Sequence, residues 1–159
     1  MSDTLTNSFV GKNADYYLEA FKNVSAKRTS WNWAAFILGI GWMFYRRMYL
    51  YAVIVGAVMT AVIILEMLFS VPVAISNGIS MGIWVMYGML GNTLYKTFVD
   101  KKIAAIEAGS GSEQEKLVLA SSQGNPSILI GFTGFFLFAA VVIAVIILIP
   151  LPQDVLNGY

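Results

Sequence analysis

Glu66 is an acidic residue inside a long apolar run, MYLYAVIVGAVMTAVIILEMLFS at 48–70. A carboxyl group in hydrocarbon is costly, and by default it marks a proton or cation site or a polar contact between helices. Its depth gives a second reading. Glu66 stands 19 residues beyond Arg47, about 28 Å along a helix. That reaches the far interface, where a carboxylate snorkels into water. Asn92 and Tyr95 lie in the inner half of a second apolar run, 79–99. Asn in lipid bonds a neighbouring helix at about 1 kcal/mol, so helix glue and substrate contact both remain open. The third group is aromatic and basic: Trp31, Trp33, Trp42, Tyr45, Arg46 and Arg47, preceded by Lys27 and Arg28. These residue types anchor a helix at the interface and meet anionic headgroups. Trp, Tyr and Arg also dominate protein-interface hot spots, so a docking surface is the alternative.

Other chemistry is excluded by composition. The 159 residues contain no Cys and no His. Disulfides, thiolate metal sites and thiol nucleophiles are absent, as is the commonest general base and metal ligand. No span carries paired carboxylates, so the usual acid–base and nucleophile sets are missing. The chain reads as no enzyme, and no cofactor is expected. A net charge of +1 does not point to nucleic acid. Charged residues make up 12% and hydrophobic ones 58%, with a mean hydropathy of +0.71; soluble proteins average about 25% charged.

These groups therefore need a membrane frame. The expected fold is an all-α integral membrane protein with three transmembrane helices, an amphipathic N-terminal helix and an interfacial aromatic helix. Residues 1–30 form a cytoplasmic tail with no signal-peptide core. Within it, 1–8 reads as disordered and 9–24 as a short amphipathic helix carrying Tyr17, Leu18, Phe21 and Val24 on one face. Residues 31–47 read as an interfacial or re-entrant helix. Their apolar part, 31–45, reaches roughly 22 Å against a hydrocarbon core of about 30 Å, and both of its flanks are basic. Residues 48–99 make a transmembrane hairpin turning near Pro72, and 100–125 a cytoplasmic linker with a flexible stretch from Gly109 to Ser112. Residues 126–150 form the third span. Asn125 and Pro126 suit its N-cap and first position, and Pro150 and Pro152 its end. Residues 151–159 are an external tail. All ten Lys and Arg then fall on one side, which the positive-inside rule makes the cytoplasm.

Small residues mark helix faces: Ala52, Gly56 and Thr60 on the first span, a GxxxG pair Gly78 and Gly82 on the second with Gly88 and Gly91 beyond, and Gly131, Gly134, Ala140 and Ala144 on the third. They permit close helix approach, either within one subunit or between copies. The chain shows no long internal repeat, which disfavours an inverted-repeat transporter.

The run Phe9 to Tyr17, then Ser30-Trp31-Asn32-Trp33-Ala34-Ala35-Phe36, Gly39, Trp42 and Tyr45-Arg46-Arg47-Met48-Tyr49 resembles a bacterial family of small inner-membrane proteins classed as a domain of unknown function. The similarity covers roughly residues 9–102, with Ile40 where that family usually has Pro. It implies an inner-membrane location and this architecture, and no activity. Together these readings predict a non-enzymatic accessory, structural or regulatory membrane protein. Its partners would be membrane lipids, including anionic headgroups, and further copies or subunits in an oligomer or larger membrane complex. A small oligomeric channel or carrier is the alternative, built from rings of Glu66 or Asn92, although no span has a polar stripe wide enough to line a path.

Overall fold

The computed structural model describes residues 2–28 and 30–148, and the elements in them are helices. These are α1 (Ser2–Val10), α2 (Ala14–Ser25), α3 (Trp33–Leu38), α4 (Ile40–Tyr45), α5 (Tyr49–Leu68), α6 (Val73–Glu107), α7 (Glu113–Gly124) and α8 (Ile128–Leu148). Thr29, Pro150, Pro152 and the expected external tail lie outside the described residues.

The N-terminus departs from expectation. Residues 2–10 are helical, and a turn at Gly11 and Asn13, both left-handed at φ 60° and 64°, separates them from α2. The single helix expected over 9–24 is therefore two. The cause is a sparse apolar pair: Leu5 and Phe9 are buried on one face of α1. That pattern is too thin to read without knowing what covers it.

Segment 31–45 is divided in the middle. Gly39 adopts φ 49°, ψ −124°, a conformation in which a Cβ would clash. The result is two helices of six residues each, each about 9 Å long. Asn32 caps α3 by accepting the Ala35 N–H at 2.8 Å. The ends of α2, α4 and α5 share one device. Arg28, Met48 and Val71 each donate a backbone N–H to a carbonyl five residues back, at 2.9 Å. Lys27, Arg47 and Ser70 take the left-handed position before them, a Schellman-type end without the usual glycine.

Three helical stretches are long and apolar enough to cross a membrane: Tyr49–Leu68, Val73–Glu107 and Glu113–Leu148. The apolar part of the last is α8, because the backbone turns extended at Asn125 (ψ 124°) and separates α7 from it. Asn125 is thus the C-cap of α7 rather than the N-cap of a span. Ser127 takes that role, its hydroxyl accepting the Ile130 N–H at 3.4 Å. The 35 residues of α6 extend about 52 Å, well past a hydrocarbon core of about 30 Å.

The core gathers at one end. There α1, α2, α7 and the C-terminal part of α6 bury Leu5, Phe9, Tyr17, Phe21, Tyr95, Phe98 and Ile103 against one another. The broken segment wedges beneath this platform, α3 on α6 and α4 on α5 and α8. Beyond it the helices separate. α5 and α6 do not pack along their length. They meet where Tyr87 donates to the Met59 sulfur at 3.0 Å and where Ser76 donates to Glu66 at 2.7 Å.

Candidate functional site

Arg46 and Arg47 end α4 and clamp two other helices. The Arg46 guanidinium donates to the carbonyls of Val10 at 2.9 Å and Lys12 at 3.0 Å, at the end of α1. Arg47 donates to Asn125 at 2.8 Å and Ser122 at 3.1 Å, at the end of α7. Helix C-termini present unpaired carbonyls and a partial negative charge, which cations satisfy. Arg46 is 1% exposed, and no carboxylate pairs with it among the described residues. Its remaining compensation is aromatic. The guanidinium carbon lies 4.3 Å from the Tyr17 ring centre, 5.2 Å from Tyr95 and 5.3 Å from Tyr45, within cation–π range. Trp42 is fully buried beside it and donates to the Tyr17 hydroxyl at 3.1 Å. This corrects the expectation of an interaction surface at Trp42 and Arg46. Both are interior, and Arg46 cannot meet a headgroup.

Asn92 joins three segments. Its Oδ1 accepts from Asn32 at 2.8 Å, and its Nδ2 donates to the Ser30 hydroxyl at 2.8 Å and the Tyr16 hydroxyl at 3.3 Å. Tyr16 donates in turn to the Trp31 carbonyl at 2.8 Å, and the Asn32 N–H donates to Gly88 O at 2.8 Å. Asn32 and Asn92 are fully buried, which leaves Asn92 no room for a substrate. The Ser-Trp-Asn-Trp-Ala-Ala run therefore has a structural role. Asn32 carries the polar contact. Trp31 and Ala35 cover Gly88 and Gly91, where an added Cβ would come within 2.5 and 2.7 Å of them. Of the aromatics, Trp33 faces outward at 65% exposure, and Trp31 is half-buried.

The small residues divide into two sets. Gly56 meets Ile40 and Phe138, Gly131 meets Tyr45, and Gly134 meets Phe44, so these faces are filled within the subunit. A Cβ on Gly78 or Gly82 would meet nothing within 4 Å. Glu66 is half-buried at the far turn, with one carboxylate oxygen held by Ser76 and the other buried without a partner. Among the described residues no three acidic side chains converge to hold a metal ion.

Sequence reading placed Tyr17 on an apolar helix face and Asn32 in the Ser-Trp-Asn-Trp run, but gave neither of them, nor Tyr16, a polar partner. Asn32 had a local signal, as a capping residue just before an apolar run. The tyrosines had none, because their partners lie 15 to 76 residues away. No curated protein and no solved structure matches this chain. A family profile described as protein of unknown function, DUF2628, matches residues 8–101, which take in the broken segment, most of α6 and both clamp arginines but not the α7 end that Arg47 holds. That is more than half of the sequence, and the chain belongs to the DUF2628 family.

Proposed function

We propose that this chain is a non-enzymatic accessory protein of the bacterial inner membrane that acts through contacts with other membrane subunits or with its own copies. The observation that carries this reading is the uneven use of its packing residues. Aromatic and polar side chains are consumed inside the platform. By contrast, only 11% of each membrane-spanning window is buried, and Gly78 and Gly82 face open space. Lipid exerts no hydrophobic pressure to close such faces, so small residues that admit close approach decide where another helix packs.

The platform is the cytoplasmic end in this reading, since all ten Lys and Arg belong to it or to its border, as the positive-inside rule favours. Segment 31–45 is re-entrant. Asn32 bonds Gly88, Arg46 reaches Tyr95, and the bend at Gly39 lies deeper, against Trp84 and Tyr87. The N-terminus is then cytoplasmic and the C-terminus external.

Copurification from native membranes in mild detergent, followed by native gels, tests the proposal. A complex larger than one chain is expected, and Gly82→Leu should dissolve it without changing the monomer's thermal stability. A strictly monomeric wild type with no recovered partner removes the accessory reading. The unpartnered Glu66 oxygen favours one second reading, an oligomeric channel. Ion flux in liposomes that Glu66→Gln abolishes would put that reading first.

A further inference from the structure

A groove of 540 Å³ runs beside the broken segment, within the roughly 300–1,000 Å³ of small-molecule sites. Its walls are Ile37 and Leu38 of α3, Gly41 of α4, Trp84 of α6, and Phe132 and Phe135 of α8. The deep end is Trp84, level with the bend at Gly39. The shallow end holds Lys12 and Asn13 of the α1–α2 turn and Ile128, where α8 begins.

We propose that this groove binds one acyl chain of an anionic phospholipid, with the lipid phosphate held at Lys12. The argument rests on a two-part surface. The long walls are apolar, and among the described residues the one charged side chain in the lining is a cation at the mouth. Lys12 is exposed and makes no ion pair among the described residues. Its place is nevertheless built, because Arg46 holds its carbonyl at 3.0 Å. The start of α8 adds the positive end of a helix dipole to the same mouth, and its first turn carries no acid. The nearest acid along the chain, Asp15 of α2, does not pair with Lys12. Depth agrees with charge. Tyr45, whose carbonyl accepts the Ser127 N–H at the start of α8, lines the groove near the mouth, and the floor descends toward Trp84 along apolar side chains. The inference rests on the membrane placement proposed above and is independent of any protein partner.

Native mass spectrometry of the full chain in mild detergent tests it, with phosphatidylglycerol and phosphatidylcholine of identical chains as probes. The wild type is expected to hold one phosphatidylglycerol about fivefold more tightly than phosphatidylcholine, the effect of one lysine near an anionic group. Lys12→Gln should erase that preference. Lys101→Gln, an exposed cation on α6, should leave it intact. Leu38→Trp should fill the groove and weaken both lipids equally. Thermal midpoints of all variants confirm that each is folded. Equal wild-type affinity for the two lipids overturns the proposal, as does equal loss in Lys12→Gln and Lys101→Gln. Unchanged binding in Leu38→Trp also overturns it, because the lipid is then held by its headgroup alone. A protein segment recovered in the groove in place of lipid does the same. A chain that fails to partition with membranes removes the membrane reading itself, whereas a membrane-inserted chain without lipid preference removes only this inference.

Discussion

A buried guanidinium without a carboxylate must be compensated by dipoles and ring faces, and Arg46 has both. Two carbonyls and three tyrosine rings surround it. Lysine cannot replace this geometry, because one ammonium lacks the planar fork that reaches two acceptors while stacking on a ring. Arg46→Met strands the Val10 and Lys12 carbonyls and should cost about 3 kcal/mol. Arg46→Lys should recover only part of that loss. The readout is specific: release of α1 exposes the bond after Lys12, so trypsin should cut there much faster than in the wild type. Equal cleavage in both proteins would refute the clamp. Asn92→Ala leaves the buried Asn32 amide and Ser30 without their partner and should cost about 1–3 kcal/mol, seen as a lower thermal midpoint in detergent.

At the scale of elements, two glycine pairs on α6 lead to opposite expectations. Gly91→Ala drives a Cβ to 2.7 Å from the Ala35 Cβ and should destabilise the monomer by about 1–3 kcal/mol, the range for overpacking. Gly82→Ala meets nothing, and its monomer stability should match the wild type or exceed it slightly, since alanine favours helix. A matched loss in both variants would show that the α3–α6 contact is not what distinguishes them. The first turn of α7 offers a pH test. Ser112 and Glu115 form a reciprocal capping box, and the Ser112 N–H holds the exposed Glu115 carboxyl below its ordinary range. A depressed carboxyl contributes stability above the unfolded value of about 4.3, and that contribution is lost as pH falls through the folded value. Amide protection at the start of α7, taken relative to the intrinsic exchange rate at each pH, should therefore fall in acid, and Ser112→Ala should give the same loss of protection at neutral pH.

How legible these elements were depended on the range of the forces that shape them. The three spans read directly from their apolar lengths, because a bilayer imposes its thickness on any chain that crosses it. The boundary near residue 125 read wrongly. Asn125-Pro126 carries a helix-start signal, yet Asn125 is spent closing α7 and Ser127 caps α8. The platform stayed hidden because α1 makes its contacts with α7, more than a hundred residues away. Leu5 and Phe9 mean little until Gly124 is set against Phe9. The same distance hid the clamp. Two adjacent arginines at a membrane border read as headgroup contacts, and only the fold shows them turned to two helix ends.

For the whole molecule, the topology can be tested on a background that has no Cys. Cys placed at Asn77, exposed at the turn side of α6, should react from outside intact cells with an impermeant maleimide. Cys at Gln114, exposed on α7, should react only after permeabilisation. Labelling of the α7 site from outside would invert the proposed orientation. Reporters fused before Trp31 and after Arg47 should both report cytoplasm, and opposite signals would mean that segment 31–45 crosses.

The packing of α1 against α7 also orders events in time. A ribosome delivers α1 first and α7 only after the α5–α6 hairpin has been made. At about 5–20 residues per second, α1 waits on the order of 10 s with Leu5 and Phe9 uncovered. During that wait the hairpin can enter the bilayer, but the platform cannot close. The arginines of α4 likewise emerge long before the α7 end that Arg47 will hold. Synthesis halted before residue 113 should thus yield an inserted chain whose first ten residues are open to proteases and chaperones. Completion of α7 is the step that lets the platform close, before α8 is laid against α4.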